Sequence, residues 1–242
     1  MLSIEYLGPN TDFAPHRPGM THDNPATEYS SYLKNMKKEV AEHLSLATKG
    51  WQENATVPEG VDVEIGKEVE GRGRGLFATR VFQPGEKIFE FYGQTYDIDF
   101  LDPRYLEHAL QVGLREFLVS TEFHFDNFLN HSSNPNCWIH FEKNEHGETE
   151  IWLEALRKIH PHEELTFNYN TTEWDMEDEG GGQSSAFNDL SAADERLQRV
   201  AGYVHVPEEL RPDLEQYLSP AIINLRNIEE RRKERKRLHR QS

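Results

Sequence analysis

The chain has 242 residues, a formal net charge of −17 and one cysteine, Cys137. That length buries a full core as one domain with extensions or as two small domains. The lone cysteine excludes an internal disulfide framework and any zinc site built from several thiolates.

Charge is unevenly spread. From Ala221 onward eight Lys and Arg face three acids, so the rest of the chain carries −22. An acidic body disfavours phosphate-backbone binding and favours a basic, lysine-rich peptide; solubility alone is the other reading. Direct nucleic-acid binding is expected only through the basic C-terminal tail. No apolar run reaches membrane-spanning length, and MLSIEYLGPNTDF lacks a basic lead and a long apolar stretch. An intracellular protein, cytoplasmic or nuclear, with no membrane contact is expected.

Residues 1–27, rich in Pro, Asn, Asp and Gly, read as an irregular arm. In residues 28–60, Tyr29, Tyr32, Leu33, Met36, Val40, Leu44 and Ala47 fall at three- and four-residue steps. They predict an amphipathic helix packed on the main domain, with Gly50 as its stop. From Val61 the period changes: VDVEI alternates as a half-buried strand, GRGRG is a turn, and LFATRVF and EKIFEFYG are strands separated by QPGE. A short helix is expected around RYLEHALQVGL, a strand at FLVSTEFHF, and a hairpin turning at NEHG. Short strands with frequent turns predict a mostly β domain with flanking helices, an α+β fold, over residues 61–175. EWDMEDEGGGQSSAFNDLSA reads as an acidic, Gly/Ser-rich linker, and DERLQRVAGYV as helix. The segment to 220 precedes a basic helical tail, 221–242, which is either a solvated helix laced with ion pairs or an address for nuclear import or an acidic partner.

The turn FDNFLNHSSNPN sets Asn130, His131, Asn134 and Asn136 beside Phe125, Phe128 and Leu129. Polar groups at that density are either a surface turn held by local bonds or a site whose ligand satisfies them. Gly71, Gly73 and Gly75 let a backbone approach a ligand, but neither a P-loop nor a dinucleotide fingerprint follows. HPH, with His160 and His162, and His124 lack an accompanying carboxylate or thiolate set for a metal. Glu163 and Glu164 read as turn residues rather than a hydrolytic pair.

GRGLFA, EFYG, NHSSNPN and ELTFNY occur in that order over about residues 60–175, with a fainter echo to about 220. Together they resemble the SET-domain family of S-adenosylmethionine-dependent methyltransferases. The resemblance implies a β fold of small sheets with a C-terminal pseudoknot and S-adenosylmethionine as cofactor. It implies backbone contacts from Gly73, Arg74, Gly75 and Leu76 to the methionine part of that cofactor. Asn130 and His131 would hold its adenine and amino-acid ends. Tyr169 would be the catalytic tyrosine, with Phe167 lining the acceptor channel and favouring higher methylation states. Many relatives carry an aromatic where this chain has Arg74, and an Arg where it has Asn127. The family's post-SET zinc cysteines are missing: the turn position is Ser133, and EWDMEDEGGGQSSAF has no cysteine. No zinc is expected, and residues 176–220 become a zinc-less post-SET-like segment whose lid is ordered by packing at Trp174 or Phe187. Three functions follow: methyl transfer to a protein lysine, a repurposed scaffold acting on a small molecule, or a non-catalytic binding module.

Overall fold

The computed structural model describes residues 34–35, 38–39, 42, 49–69, 73–101, 108–176, 187–188 and 199–241. The predicted arm, the apolar stripe of the N-terminal helix and most of the linker lie outside them. Of that helix, Lys34, Asn35, Lys38, Glu39 and Glu42 are helical and exposed. Gly50 is left-handed at φ 62° and opens a four-residue helix, α1, Trp51–Asn54. Trp51 packs on Phe128, ring centroids 5.4 Å apart, and so ties this end of the chain to the asparagine-rich turn.

Strand β1, Val63–Val69, pairs antiparallel with β2, Gly73–Ala78, with a bulge between Ile65 and Glu68. Here the expected turn at GRGRG is corrected: from Gly73 onward the segment is strand. Gly73 supplies the reversal at φ 75°, and Leu76 and Ala78 then alternate into the core, which pulls the ladder down to Gly73↔Val69. β3, Lys87–Glu90, follows a turn at Pro84–Gly85 closed by Glu86 N–H to Gln83 O at 3.0 Å.

β4, Gln94–Asp97, β5, Ala109–Gln111, and β6, Glu116–Val119, form one three-stranded sheet in the order β4-β6-β5. The helix expected around RYLEHALQVGL is therefore strand at Ala109–Gln111. Pairing with β6 and burial of Leu110 and Gln111 override a weak local preference. The strand expected at FLVSTEFHF stops at Val119. Phe123 and His124, at φ 63° and 56°, then turn the chain into a 3₁₀ segment, Phe125–Phe128.

The next short strand is β7, Asn130–His131. Beyond it, β8, Cys137–Lys143, and β9, Thr149–Ala155, make the predicted hairpin and join β3 in the order β3-β9-β8. Asn144 closes the hairpin: its Oδ1 accepts from His146 and Glu148 N–H, both at 3.0 Å. β10, Thr166–Phe167, completes the body. Leu76, Phe82, Ile139, Leu153, Ile159 and Leu165 fill one core between these sheets. Full burial of such side chains is worth about 1.5–3 kcal/mol each.

In the C-terminal part, the helix expected at DERLQRVAGYV is instead a strand and a 3₁₀ turn. β11, Phe187–Asn188, pairs antiparallel with β12, Arg199–Val200, and Tyr203–His205 follows as 3₁₀. Gly202, at φ 100°, breaks any helix there. A 3₁₀ segment, Glu208–Tyr217, containing Pro212, leads to α2, Pro220–Gln241. Tyr203, Leu218 and Ile222 form a small second core with Trp174, Leu214 and Ile223.

Candidate functional site

β7 pairs in parallel with β10, Asn130 opposite Thr166 and His131 opposite Phe167. Two residues of parallel strand cannot hold themselves, and Asn136 supplies the missing hold. Its buried amide donates to Glu164 O at 2.7 Å and to Glu163 Oε1 at 3.2 Å, and its Oδ1 accepts from Thr166 N–H at 2.9 Å. Ser132 N–H donates to Phe167 O at 3.0 Å. On the opposite side the same late segment bonds β2: His162 N–H to Ala78 O at 2.7 Å and Leu165 N–H to Leu76 O at 2.7 Å. Residues 162–167 are thus inserted between two earlier segments, the arrangement expected of the pseudoknot.

That insertion gathers the expected site residues. The Asn130 amide nitrogen donates to Arg74 O at 3.2 Å and to Glu164 Oε1 at 2.8 Å, so the Gly-rich strand and the asparagine turn touch. Arg74 itself turns away from that contact. Its guanidinium donates to Gln52 O at 2.9 Å and to Gly66 O at 3.4 Å, and lies 4.6 Å from the centroid of the Phe128 ring. An arginine here does by cation–π stacking what an aromatic would do by ring packing. Gly73 is exposed, and a methyl group built on it would meet nothing within 4 Å. Leu76 is fully buried; its carbonyl belongs to the sheet.

His131 is buried, and its Nδ1 accepts from Tyr169 N–H at 3.1 Å. That bond puts the ring proton on Nε2. The Tyr169 hydroxyl donates to Leu129 O at 2.6 Å, and its ring stands edge-on to His131 with centroids 5.3 Å apart. Phe167 and Tyr169 do not share one strand face as expected, because the strand ends at Phe167 and Tyr169 opens a 3₁₀ turn. Their rings nevertheless meet, centroids 4.8 Å apart and tilted by 42°.

Ionisation in and near the site follows burial and hydrogen bonding. Burial pushes the Glu163 carboxyl up, but hydrogen bonds from Arg157, His160 N–H and Asn136 outweigh it and hold the group below its ordinary range. In the 3₁₀ segment before Leu129, burial pushes Asp126 up to about 6 against bonds from Ser120 and the backbone, and its Oδ1 has no hydrogen-bond partner. Cys137 is buried 3.4 Å from Asn136 Oδ1, and desolvation drives its thiol pKa well above the ordinary value, so it is no nucleophile. Among the described residues no group of three or more His, Cys, Asp or Glu is placed to hold a metal. His162 sits on the surface, 3.4 Å from Glu64, and His124 lies in the core against Trp51.

Four residues that position the site were not singled out from sequence. Asn136 was seen only as part of the turn. Asn168 caps the Tyr169 turn, its Oδ1 accepting from Asn170 N–H at 3.0 Å, and the Oδ1 of buried Asn170 accepts from Gly202 N–H at 3.1 Å. Gly202 lies so close to the chain that an added Cβ would stand 2.7 Å from Trp174 O. Tyr203 N–H to Glu173 O at 2.9 Å and Ser219 N–H to Thr171 O at 2.8 Å complete the docking of the C-terminal segment directly behind Tyr169. Trp174 stacks on Tyr203 at 5.9 Å. The alternation ELTFNYNTT carries a signal for Asn168 and Asn170, polar residues in an apolar strand end; for Gly202 no local signal exists.

Residues 73–170 match the family model described as "SET domain". The chain carries a SET domain. It is 31% identical over 118 residues to "Histone-lysine N-methyltransferase, H3 lysine-36 specific" of Gibberella zeae, covering 43% of this chain and 12% of that protein. It is 30% identical over 115 residues to "N-lysine methyltransferase KMT5A-A" of Danio rerio, covering 42% and 33%. Among solved structures it is similar to a Plasmodium falciparum putative histone methyltransferase, at 19% identity and a TM-score of 0.38, covering 45% of this chain and 92% of that one. The chain spans at most about a third of the length of these curated relatives.

Proposed function

We propose that the protein is an S-adenosylmethionine-dependent N-methyltransferase of SET type that methylates lysine in a basic peptide or protein inside the cell. The observation that carries this reading is the convergence of Arg74 O, Asn130, His131 and the Tyr169 hydroxyl through direct hydrogen bonds. These residues fit the cofactor: the open backbone at Gly73 gives room for close approach, and Asn130 keeps its carbonyl oxygen as an acceptor while its nitrogen is fixed. When bound, the cofactor supplies an electrophilic methyl group on a sulfonium.

What the chain itself contributes is alignment. The Tyr169 hydroxyl gives its proton to Leu129 O, so only its oxygen lone pairs face a reactant. It accepts from an amine N–H or a polarised C–H and is not placed to act as a general acid. His131 locks the Tyr169 backbone, and the Phe167 ring beside Tyr169 sets the channel width. A small-molecule acceptor on the same scaffold is the second reading, supported by a post-SET-like segment docked through Trp174 and Tyr203 rather than cysteines. Calorimetry with S-adenosylmethionine and its demethylated product, followed by mass spectrometry on a basic peptide library, tests both. Binding with peptide methylation supports the first reading; binding with only small-molecule methylation supports the second; absence of binding removes methyl transfer and leaves a protein-binding module.

A further inference from the structure

Helix α2 is joined to the body at one end only. Ala221 and Ile222 are buried, and Ser219 N–H bonds Thr171 O, so the first turn is fixed against the segment behind Tyr169. From Glu230 to His239 every residue is exposed, a rod of about 15 Å at 1.5 Å per residue. Arg231–Arg237 reads RRKERKR, six cations in seven residues on a chain that is otherwise strongly acidic.

The ion pairs do not neutralise it. Glu229 pairs with Lys233 at 3.2 Å, Glu234 with Arg237 at 3.8 Å, and Arg231 caps Asn227 O at 3.0 Å. Arg232, Arg235 and Lys236 have no acid within ion-pair distance among the described residues. Spaced i, i+3 and i+4, they lie on one face. Arg231/Arg235 and Arg232/Lys236 are like-charge pairs one turn apart, which destabilise a helix by a few tenths of a kcal/mol each. The macrodipole favours cations in the last turn, which does not reach back to Arg231 and Arg232.

The rest of the surface narrows the partner. Leu238 is the only apolar residue from Glu229 to Arg240, so there is no stripe to insert into a lipid interface or an apolar groove. No aromatic stands on this stretch to stack an unpaired base. Arginine-rich cations one turn apart on a rigid rod suit a row of phosphates. We propose that the exposed half of α2 is a docking face for the phosphate backbone of duplex DNA, through Arg232, Arg235 and Lys236. The acidic body makes this the one face by which the protein approaches a polyanion. The proposal stands whether or not the protein transfers methyl groups.

The test is fluorescence anisotropy of a labelled duplex of mixed sequence with the full chain, over a series of salt concentrations. Binding at about 50 mM salt that weakens by about forty-fold by about 200 mM is expected if three phosphate contacts carry it. Arg232→Gln, Arg235→Gln and Lys236→Gln together should reduce affinity at least tenfold and flatten the salt dependence, while Lys67→Gln on β1 leaves both unchanged. Circular dichroism should show undiminished helix in the triple variant, since glutamine is a good helix former and like-charge repulsion is relieved. Glu229→Gln with Glu234→Gln releases Lys233 and Arg237 and should tighten binding. Absence of binding at low salt, binding that survives the triple replacement, or concentration-dependent self-association that the triple variant abolishes in a chain that ignores DNA would each overturn the proposal.

Discussion

Tyr169→Phe separates alignment from packing. The phenyl ring keeps its contacts with Phe167 and His131, and the backbone N–H to His131 is untouched. What disappears is the hydroxyl and its 2.6 Å bond to Leu129 O. A typical hydrogen bond contributes about 1 kcal/mol to stability, and the carbonyl left behind in a buried residue raises the cost toward about 2 kcal/mol. In catalysis the loss falls on the transition state, where the oxygen lone pairs align the acceptor: a ~10²-fold drop in kcat corresponds to about 2.7 kcal/mol. Cofactor affinity should change far less, because Asn130 keeps its bonds to Arg74 O and Glu164. Steady-state methylation of the best peptide acceptor gives kcat and KM, calorimetry gives the cofactor Kd, and chemical denaturation gives stability. Unchanged kcat with the expected loss of stability would show that the hydroxyl only braces Leu129. A cofactor Kd that collapses in parallel with kcat would show that the hydroxyl organises binding instead of alignment.

Phe167→Tyr narrows the channel beside Tyr169 and should shift products toward monomethylation without a comparable loss of rate, read by mass spectrometry of the product mixture. Gly202→Ala combines a backbone at φ 100° with a Cβ 2.7 Å from Trp174 O; strain of about 1–3 kcal/mol should loosen the C-terminal segment, lower the melting temperature and change Trp174 fluorescence. Asp126 has a carboxyl raised to about 6 by burial, so the folded state holds its proton more tightly than the unfolded chain. Its protonated form contributes stability at low pH that is lost as pH rises through about 6. Asp126→Asn should therefore gain stability over the parent as pH goes from about 4 to about 7, by about 2–3 kcal/mol, and a flat difference in denaturation across that window would refute burial as the cause.

The sequence by itself determined the family motifs, the mostly β class, the β8–β9 hairpin and the residues of the site. These are written in features a short window contains: alternation, turn chemistry at Asn144–Gly147, and residue types whose hydrogen-bonding capacity suits a ligand. It determined the basic tail too, since charge is counted directly. Tertiary structure alone decided the rest. RYLEHALQVGL gives up its local helical pattern at Ala109–Gln111 because β6 offers a ladder and Glu173–Trp174 lie against Gln111. GRGRG becomes strand because β1 pairs with it as far as Gly73. Asn136 and Asn170 act across 28 or more residues of chain, on Glu163–Thr166 and on Gly202, and no window encodes a partner that far away. Gly202 looks like any loop glycine until Trp174 closes over it, because the need for a missing Cβ arises only when two distant backbones approach within contact distance.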